Sequence, residues 1–112
     1  MDPRDTTALR HILEAIELIE RYAGSSPYEA VRDRKTRDAI VFNLAVLGEA
    51  TKTLSPELRT STEDIEWRKI AGMRDRLIHG YYAINDRLVA EVVAREIPAL
   101  KNRILAIPGF EP

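Results

Sequence analysis

The chain has 112 residues, 45% of them hydrophobic, and its 17 basic and 18 acidic residues leave a formal net charge of −1. It contains no cysteine and two histidines. This composition excludes disulfide frameworks, thiolate nucleophiles, zinc ribbons and iron–sulfur centres, and it argues against a histidine-rich metal cage. We therefore expect one domain over residues 1–112, with neither a metal site nor a cofactor.

The N-terminus is polar from its first residues, Met1-Asp2-Pro3-Arg4-Asp5, and does not resemble a secretory signal. No apolar run approaches the ~20 residues that a membrane-spanning helix needs, so no membrane association is expected. A chain without thiols suits the reducing cytoplasm. The balanced charge argues against non-specific wrapping of nucleic acid but leaves room for a local basic site.

Apolar residues at helical spacing predict four helices, the first of which spans residues 6–23. Asp5 or Thr6 is expected to cap its start, and Gly24 stands where a residue of positive φ commonly ends a helix. The Ser-Ser-Pro sequence at 25–27 then breaks the chain direction and predicts a short helical turn.

The second helix is predicted from Asp33 to Leu54 and carries apolar residues on several sides. Its main stripe contains Ile40, Leu44 and Leu47, while Phe42 and Val46 fall on a further side. An apolar surface this broad predicts burial on more than one face, either inside a bundle or between subunits.

The second half of the chain predicts two more helices joined by loops. The polar stretch 57–63 is expected to be a surface connection with or without one helical turn, and the third helix spans 66–78 with its end marked by Gly80. The fourth begins at Asn85 or the next residue and should kink at Pro98, which lacks a backbone N–H. Because no β-alternation is visible, the expected fold is all-α, an antiparallel four-helix bundle with a kinked last helix.

The residues with the strongest chemical potential lie at the end of the third helix, in Arg74-Asp75-Arg76-Leu77-Ile78-His79-Gly80-Tyr81-Tyr82. Arginine binds phosphate in a bidentate fork, and histidine exchanges protons near neutral pH. Together they suffice for metal-free RNA cleavage, in which the imidazole removes the 2′-hydroxyl proton and the guanidinium neutralises charge on the phosphate. Arg74 and His79 are therefore the candidate catalytic residues.

A regular helix would not place these two side chains on one face, because five residues advance it by about 140° and about 7.5 Å. Either the helix unwinds near Gly80 and turns His79 inward, or a second copy of the chain completes the site. We favour the paired arrangement, which brings two arginines and two histidines around one cleft. In the purely structural alternative, His79 is a helix-terminal residue held by Asp75 and Arg74 is a solvated side chain.

Three further residues are candidates for substrate binding. Arg37 belongs to the basic cluster 32–37, which either guides an RNA backbone toward the cleft or is a solvated helix terminus. Asn43 either forms a hydrogen bond within the bundle or contacts the cleft. Asp75 lies beside Arg74 in the sequence and would act on the same substrate phosphate.

The pattern Arg74-x4-His79-x-Tyr81 resembles the signature Arg-x4-His-x-Tyr of the HepT-like toxins in the HEPN ribonuclease superfamily. The surrounding segments are similar as well, namely Trp67-Arg68-Lys69-Ile70-Ala71-Gly72-Met73, Leu47-Gly48-Glu49-Ala50 and Ile97-Pro98-Ala99-Leu100. The resemblance thus extends over nearly the whole chain, and with these flanks it is much more specific than the Arg-x4-His spacing alone.

The resemblance implies a four-helix HEPN bundle that forms a homodimer with a composite Arg/His site. It also implies a metal-independent endoribonuclease that acts as the toxin of a type VII HEPN/MNT toxin–antitoxin system. The implied partner is a minimal nucleotidyltransferase, the MntA-like antitoxin, which transfers AMP from ATP onto Tyr81. The added phosphates would occupy the place of the RNA phosphate beside Arg74 and His79.

Two positions depart from the family pattern. Asp75 stands where asparagine is frequent, so a carboxylate can act on His79 or repel the substrate phosphate. Tyr82 adds a second phenol next to Tyr81 and is a second possible acceptor of AMP.

Two other functions are compatible with the same residues. The chain could be a non-catalytic helical subunit of a nucleotidyltransferase complex, in which Arg74, His79 and Tyr81 line a nucleotide- or RNA-binding pocket without turnover. It could also be a purely structural dimerisation module. Growth arrest by this chain alone distinguishes a toxin from both, because an adaptor has no activity of its own.

Overall fold

The computed structural model describes residues 1–79 and 83–112 of the protein. Its first helix, α1, spans Pro3–Ala23 and is capped by Asp2, whose carboxylate accepts a hydrogen bond of 2.8 Å from the backbone N–H of Arg4. The predicted start at Thr6 was therefore three residues late, because Pro3 fits the first helical position. At the other end Gly24 has φ 61°, as expected. The face toward the core is formed by Leu9, Ile12, Ile16 and Ile19.

Asp5 does not cap α1 but links it to a later helix. It is 3% exposed, and its carboxylate oxygens accept hydrogen bonds from the backbone N–H of Ser55 at 2.8 Å and from its hydroxyl at 2.6 Å. Ser55 in turn caps α4, which spans Pro56–Ser61. This segment was predicted as a surface connection, but Leu58 and Thr62 are buried and anchor it to the core.

The central helix of the bundle is α3, Arg34–Thr51, which follows a short helix α2 over Pro27–Ala30. Asp33 caps α3 by accepting a hydrogen bond of 2.9 Å from the backbone N–H of Thr36. The helix ends three residues before the predicted Leu54. The helix α1 packs along α3, so the main apolar stripe of α3 is buried as predicted.

The predicted third helix is divided into two short helices, α5 over Trp67–Ala71 and α6 over Met73–Leu77. The break lies at Gly72, where a glycine lowers the stability of a continuous helix. Trp67 is buried and its indole N–H donates a hydrogen bond of 2.8 Å to the hydroxyl of Thr62. The helix α5 lies very close to α3, since a Cβ built on Gly48 would be 3.0 Å from the carbonyl oxygen of Ile70.

A short antiparallel β ladder follows α6, contrary to the prediction of a chain without strands. It consists of β1, Ile78–His79, and β2, Ala83–Ile84, with His79 paired to Ala83. Strands of two residues are too short to give an alternating pattern, so the sequence carried no signal for them. Gly80, the predicted end of the third helix, lies outside the described residues.

The last helix is interrupted as predicted near Pro98. It starts with α7, Asp86–Glu91, capped by Asn85, and ends with α8, Ile97–Leu105. Between them Val92–Glu96 is π-helical, and the N–H of Ile97 donates to the carbonyl of Val92 five residues back. Proline cannot donate the next hydrogen bond of an α-helix, and a local change to π-helical bonding is a common response to such a defect.

The four helical layers α1, α3, α5–α6 and α7–α8 enclose one apolar core, which confirms the all-α bundle. The two small strands lie at the end of the bundle where α3 begins and α6 ends. Within the described ranges, no helix combines the length and the apolar character needed to cross a membrane.

Candidate functional site

Arg74 lies on α6 and is free to meet an anion. About half of its side chain is exposed (55%), and its guanidinium contacts only Asp75, at 3.4 Å, among the ion pairs of the described residues. Asp75 itself is 86% exposed. A contact this long between exposed groups is weak, so a phosphate can displace or share it.

Arg74 forms one wall of an open concave surface of about 460 Å³. Two more arginines, Arg34 and Arg37, reach this surface from the first half of α3. The remainder of the lining contains one carboxylate, Asp38, and the apolar residues Val41, Phe42, Ala45, Ile78 and Ile84. We call this surface the arginine groove. Three guanidinium groups around one concave surface are suited to binding phosphate groups.

The three arginines differ in how strongly acidic neighbours hold them. Arg34 is 86% exposed and lies 3.9 Å from Asp38, a distance at the limit of an ion pair. Arg37 is 19% exposed and lies 3.0 Å from Asp38 and 3.1 Å from Asp86. Burial lowers the pKa of Arg37, but its hydrogen bonds to these two carboxylates raise it above the ordinary value. Arg34 and Arg74 are therefore the more available cations, and Arg37 is largely neutralised.

The structure does not bring His79 into this groove within one chain. Its neighbour Ile78 lines the groove, and successive residues of a strand point to opposite faces. His79 is exposed. His79 is also not a helix-terminal residue, as the purely structural alternative had it, because α6 ends at Leu77 and His79 is extended. The angle of about 140° that a continuous helix would place between Arg74 and His79 therefore does not apply.

The other predicted site residues have separate positions. Asn43 is only 8% exposed, and its side-chain amide donates a hydrogen bond of 2.9 Å to the carbonyl of Ala39 within α3. This hydrogen bond corresponds to the role within the bundle and not to contact with the cleft. Tyr81 and Tyr82 lie outside the described residues. Across residues 1–79 and 83–112, no three His, Cys, Asp or Glu side chains lie close enough together to hold a metal ion.

One ion pair that sequence reasoning missed holds α6 in place. The guanidinium of Arg76 donates two hydrogen bonds, of 3.1 and 3.0 Å, to the two carboxylate oxygens of Glu96 in the π-helical segment. Lys69 of α5 lies 3.7 Å from the same carboxylate. Arg76 and Glu96 are 20 positions apart in the chain and Lys69 is still further away, so no local pattern indicates these contacts. It fixes the helix that carries Arg74 against the last helix.

This ion pair predicts a pH-dependent stability. The hydrogen bonds from Arg76 hold the pKa of Glu96 below its ordinary value, so folding gains stability above that value and loses it as the pH falls through the lowered pKa. Replacing Glu96→Gln is expected to reduce the free energy of unfolding at neutral pH by about 1 kcal/mol, because the pair is partly exposed. As the pH falls through the lowered pKa of Glu96, the wild-type carboxylate takes up a proton, so the difference should shrink.

Urea denaturation at about pH 7 and about pH 3 measures this effect. The matched control is Glu91→Gln, which removes a more exposed carboxylate 3.2 Å from Arg87 and should change stability less at neutral pH. A Glu96→Gln deficit of the same size at both pH values would show that the charge of Glu96 is not what stabilises the fold.

Comparisons with known proteins give a consistent result. The sequence model of a family described as "Ribonuclease HepT-like" matches residues 12–107. A protein of Caldanaerobacter subterraneus named as a candidate RNase is 42% identical over 100 residues, which cover 88% of this chain and 89% of the relative. A protein of Thermococcus cleftensis named "Probable ribonuclease HepT" is 38% identical, covering 85% of this chain and 87% of its own. No solved structure gives a significant match.

A third relative is a longer protein. It comes from Methanocaldococcus jannaschii, is named as a gamma-glutamylcyclotransferase and candidate RNase, and is 41% identical over 100 residues. The match covers 88% of this chain but only 45% of the relative. A region similar to this chain therefore occurs there as part of a larger protein.

Proposed function

Because the chain belongs to the HepT-like ribonuclease family, we propose that it is a metal-independent endoribonuclease in which Arg74 and His79 are the catalytic residues. The observation that carries the proposal is the family match over residues 12–107, which includes the whole Arg74–His79 segment. The arginine groove supports it independently, because it places a second weakly paired guanidinium, that of Arg34, on the same concave surface as Arg74.

The proposed reaction is an internal transesterification of the RNA backbone. The imidazole of His79 removes the proton of a 2′-hydroxyl, and the 2′-oxygen attacks the adjacent phosphorus. The bond from phosphorus to the 5′-oxygen breaks, that oxygen receives a proton from water, and the imidazolium of His79 returns its proton to solvent. The products are a 2′,3′-cyclic phosphate and a 5′-hydroxyl. Arg74 stabilises the negative charge that develops on the phosphate oxygens.

The active unit is proposed to be a homodimer. Within one chain the arginine groove contains Arg74, whereas His79 belongs to the strand position that alternates away from it. A two-fold axis beside the groove would supply the partner's His79 to Arg74 of the first chain, and the reverse. Such an arrangement would bring the two catalytic groups together without any change in the fold of the chain.

In the cell the chain is proposed to be the toxin of a type VII HEPN/MNT pair and to act in the cytoplasm. A minimal nucleotidyltransferase would neutralise it by AMPylation of Tyr81, two residues beyond His79. The phenol oxygen would form a bond to the α-phosphorus of ATP and release pyrophosphate. The transferred phosphate would compete with RNA for Arg74.

A binding role without turnover is the second candidate, and the groove itself supports it. Arg34 and Arg74 can bind phosphate groups in a single chain without His79. In that case the protein would hold RNA or a nucleotide for the nucleotidyltransferase. It would leave the RNA intact.

Cleavage of single-stranded RNA by the purified protein in the presence of EDTA tests the proposal. We expect cleavage products with 2′,3′-cyclic phosphate ends and no loss of rate on removal of metal ions. A substrate with a 2′-deoxy sugar at the cut position should resist, because it lacks the nucleophile. His79→Ala is the control for a contaminating nuclease, and identical products from this variant would overturn the catalytic assignment.

A further inference from the structure

Phe42 is unusually exposed for its type. Its relative exposure is 67%, the highest among the large hydrophobic residues in the part of the chain that the structure describes. It is followed in that group by Met1 at 48% and Tyr28 at 46%. An aromatic ring held in water forgoes the favourable free energy of burial, so a ring this exposed at a concave surface indicates a binding role.

The surroundings of Phe42 define what it can bind. The ring is carried by α3, a long and well-packed helix, so the backbone at Phe42 is held in place. It lies in the arginine groove together with the two more available cations, Arg34 and Arg74. Proteins that bind single-stranded RNA combine these same two elements, cations for the phosphates and aromatic rings on which unpaired bases stack.

We infer that Phe42 is a stacking platform for an unpaired base of the RNA whose backbone phosphates bind Arg34 and Arg74. The inference rests on the proposed function and adds the class of substrate. A base in a regular duplex has both faces covered by its neighbours, whereas a base in a loop or single strand can leave the stack at low cost. The protein should therefore select RNA that is single-stranded at the groove.

A second copy of the chain is the other occupant that an exposed apolar ring could have. The proposed dimer also brings the two Arg74 side chains near one cleft, so like charge alone does not exclude a contact over Phe42. RNA is favoured because Arg34 and Arg74 are only weakly paired with carboxylates and lie in the same groove as the ring, and RNA phosphates supply anions for both. The oligomeric state of the Phe42 variants tests the other occupant.

Fluorescence anisotropy with a labelled single-stranded RNA tests the inference by measuring Kd. Every protein in this experiment carries His79→Ala so that the RNA remains intact. Phe42→Leu keeps an apolar side chain but removes the ring, and it is expected to raise Kd about 5- to 150-fold. Phe42→Trp keeps a stacking surface and should retain the affinity. Val46→Ala, one turn further on α3 and 37% exposed, is the matched control and should bind like the parent.

Two additional readouts separate stacking from other roles. RNA that contains 2-aminopurine should lose fluorescence on binding to the Phe42 protein and not on binding to Phe42→Leu, because stacking quenches this base. Light scattering reports the oligomeric state of each variant. A dimer that dissociates in Phe42→Leu but binds RNA with unchanged affinity would overturn the inference and assign Phe42 to contact between copies.

The outcomes also separate this inference from the proposed function. If the wild-type protein cleaves RNA but Phe42→Leu binds RNA and quenches 2-aminopurine as the parent does, the stacking role is wrong and the proposed ribonuclease activity is unaffected. If the wild-type protein neither binds nor cleaves RNA, both are wrong. If it binds RNA with Phe42-dependent quenching but does not cleave it, the stacking role holds for a binding protein.

Discussion

Mixed dimers of the Arg74→Ala and His79→Ala chains are expected to cleave RNA although each variant alone is almost inactive. Loss of a general base typically lowers a rate by about 10²- to 10⁴-fold. Loss of a group that stabilises the charge of the transition state lowers it by about 10²- to 10³-fold. In a composite site, one of the two sites of a mixed dimer has both native residues, and the other has neither.

The size of the recovery follows from the symmetry. With random exchange of equal amounts, half of the dimers are mixed and half of their sites are intact, so activity should return to about a quarter of the wild-type value. The measurement is the cleavage rate after partial unfolding and refolding of the variants together. Refolding each variant alone is the control. Absence of recovery in a preparation shown to contain mixed dimers would place Arg74 and His79 of one chain in the same site.

Tyr81→Phe is expected to escape neutralisation by the nucleotidyltransferase. Phenylalanine has no oxygen to attack the α-phosphorus of ATP, so the variant cannot carry AMP at this position. Intact mass after incubation with the nucleotidyltransferase and ATP should show one or more AMP units on the wild-type chain and none on Tyr81→Phe. In cells, the partner should no longer relieve growth arrest by this variant.

Tyr82→Phe is the matched control for this experiment, since it removes the neighbouring phenol and leaves Tyr81 intact. It should be modified and neutralised like the wild type. The opposite pattern, with Tyr81→Phe modified and Tyr82→Phe not, would show that Tyr82 is the acceptor.

The sequence predicted the bundle well because its signals are local. The apolar stripe of α3, the start of this helix beside Asp33 and the glycine after α1 are each encoded within a few residues, and the structure confirms all three. The family resemblance drawn from the motif is confirmed by the match over residues 12–107. The start of α1 was misplaced for a different reason. Asp2 and Asp5 both suit an N-cap by sequence, and only packing decides between them.

The arrangement of the site could be predicted only in part, because it depends on contacts between distant segments. Nothing near Arg76 indicates that Glu96 will hold it, and the ladder that turns His79 out of the helix has two residues in each strand. The exposure of Phe42 could not be predicted from the sequence either, because an aromatic ring on a helix with a broad apolar surface is equally suited to a buried core position. The grouping of Arg34 and Arg74 is a consequence of how α6 packs on α3.

The close approach at Gly48 has a consequence for how proteins of this fold can diverge. Ile70, whose carbonyl oxygen lies 3.0 Å from the Cβ that any other residue would place at position 48, precedes Arg74 by four residues. A residue larger than glycine at 48 would require the backbone at Ile70 to give way by a few tenths of an ångström. The size of one inward-facing residue on α3 thus limits how closely α5 can approach, one helical turn before Arg74 of the groove.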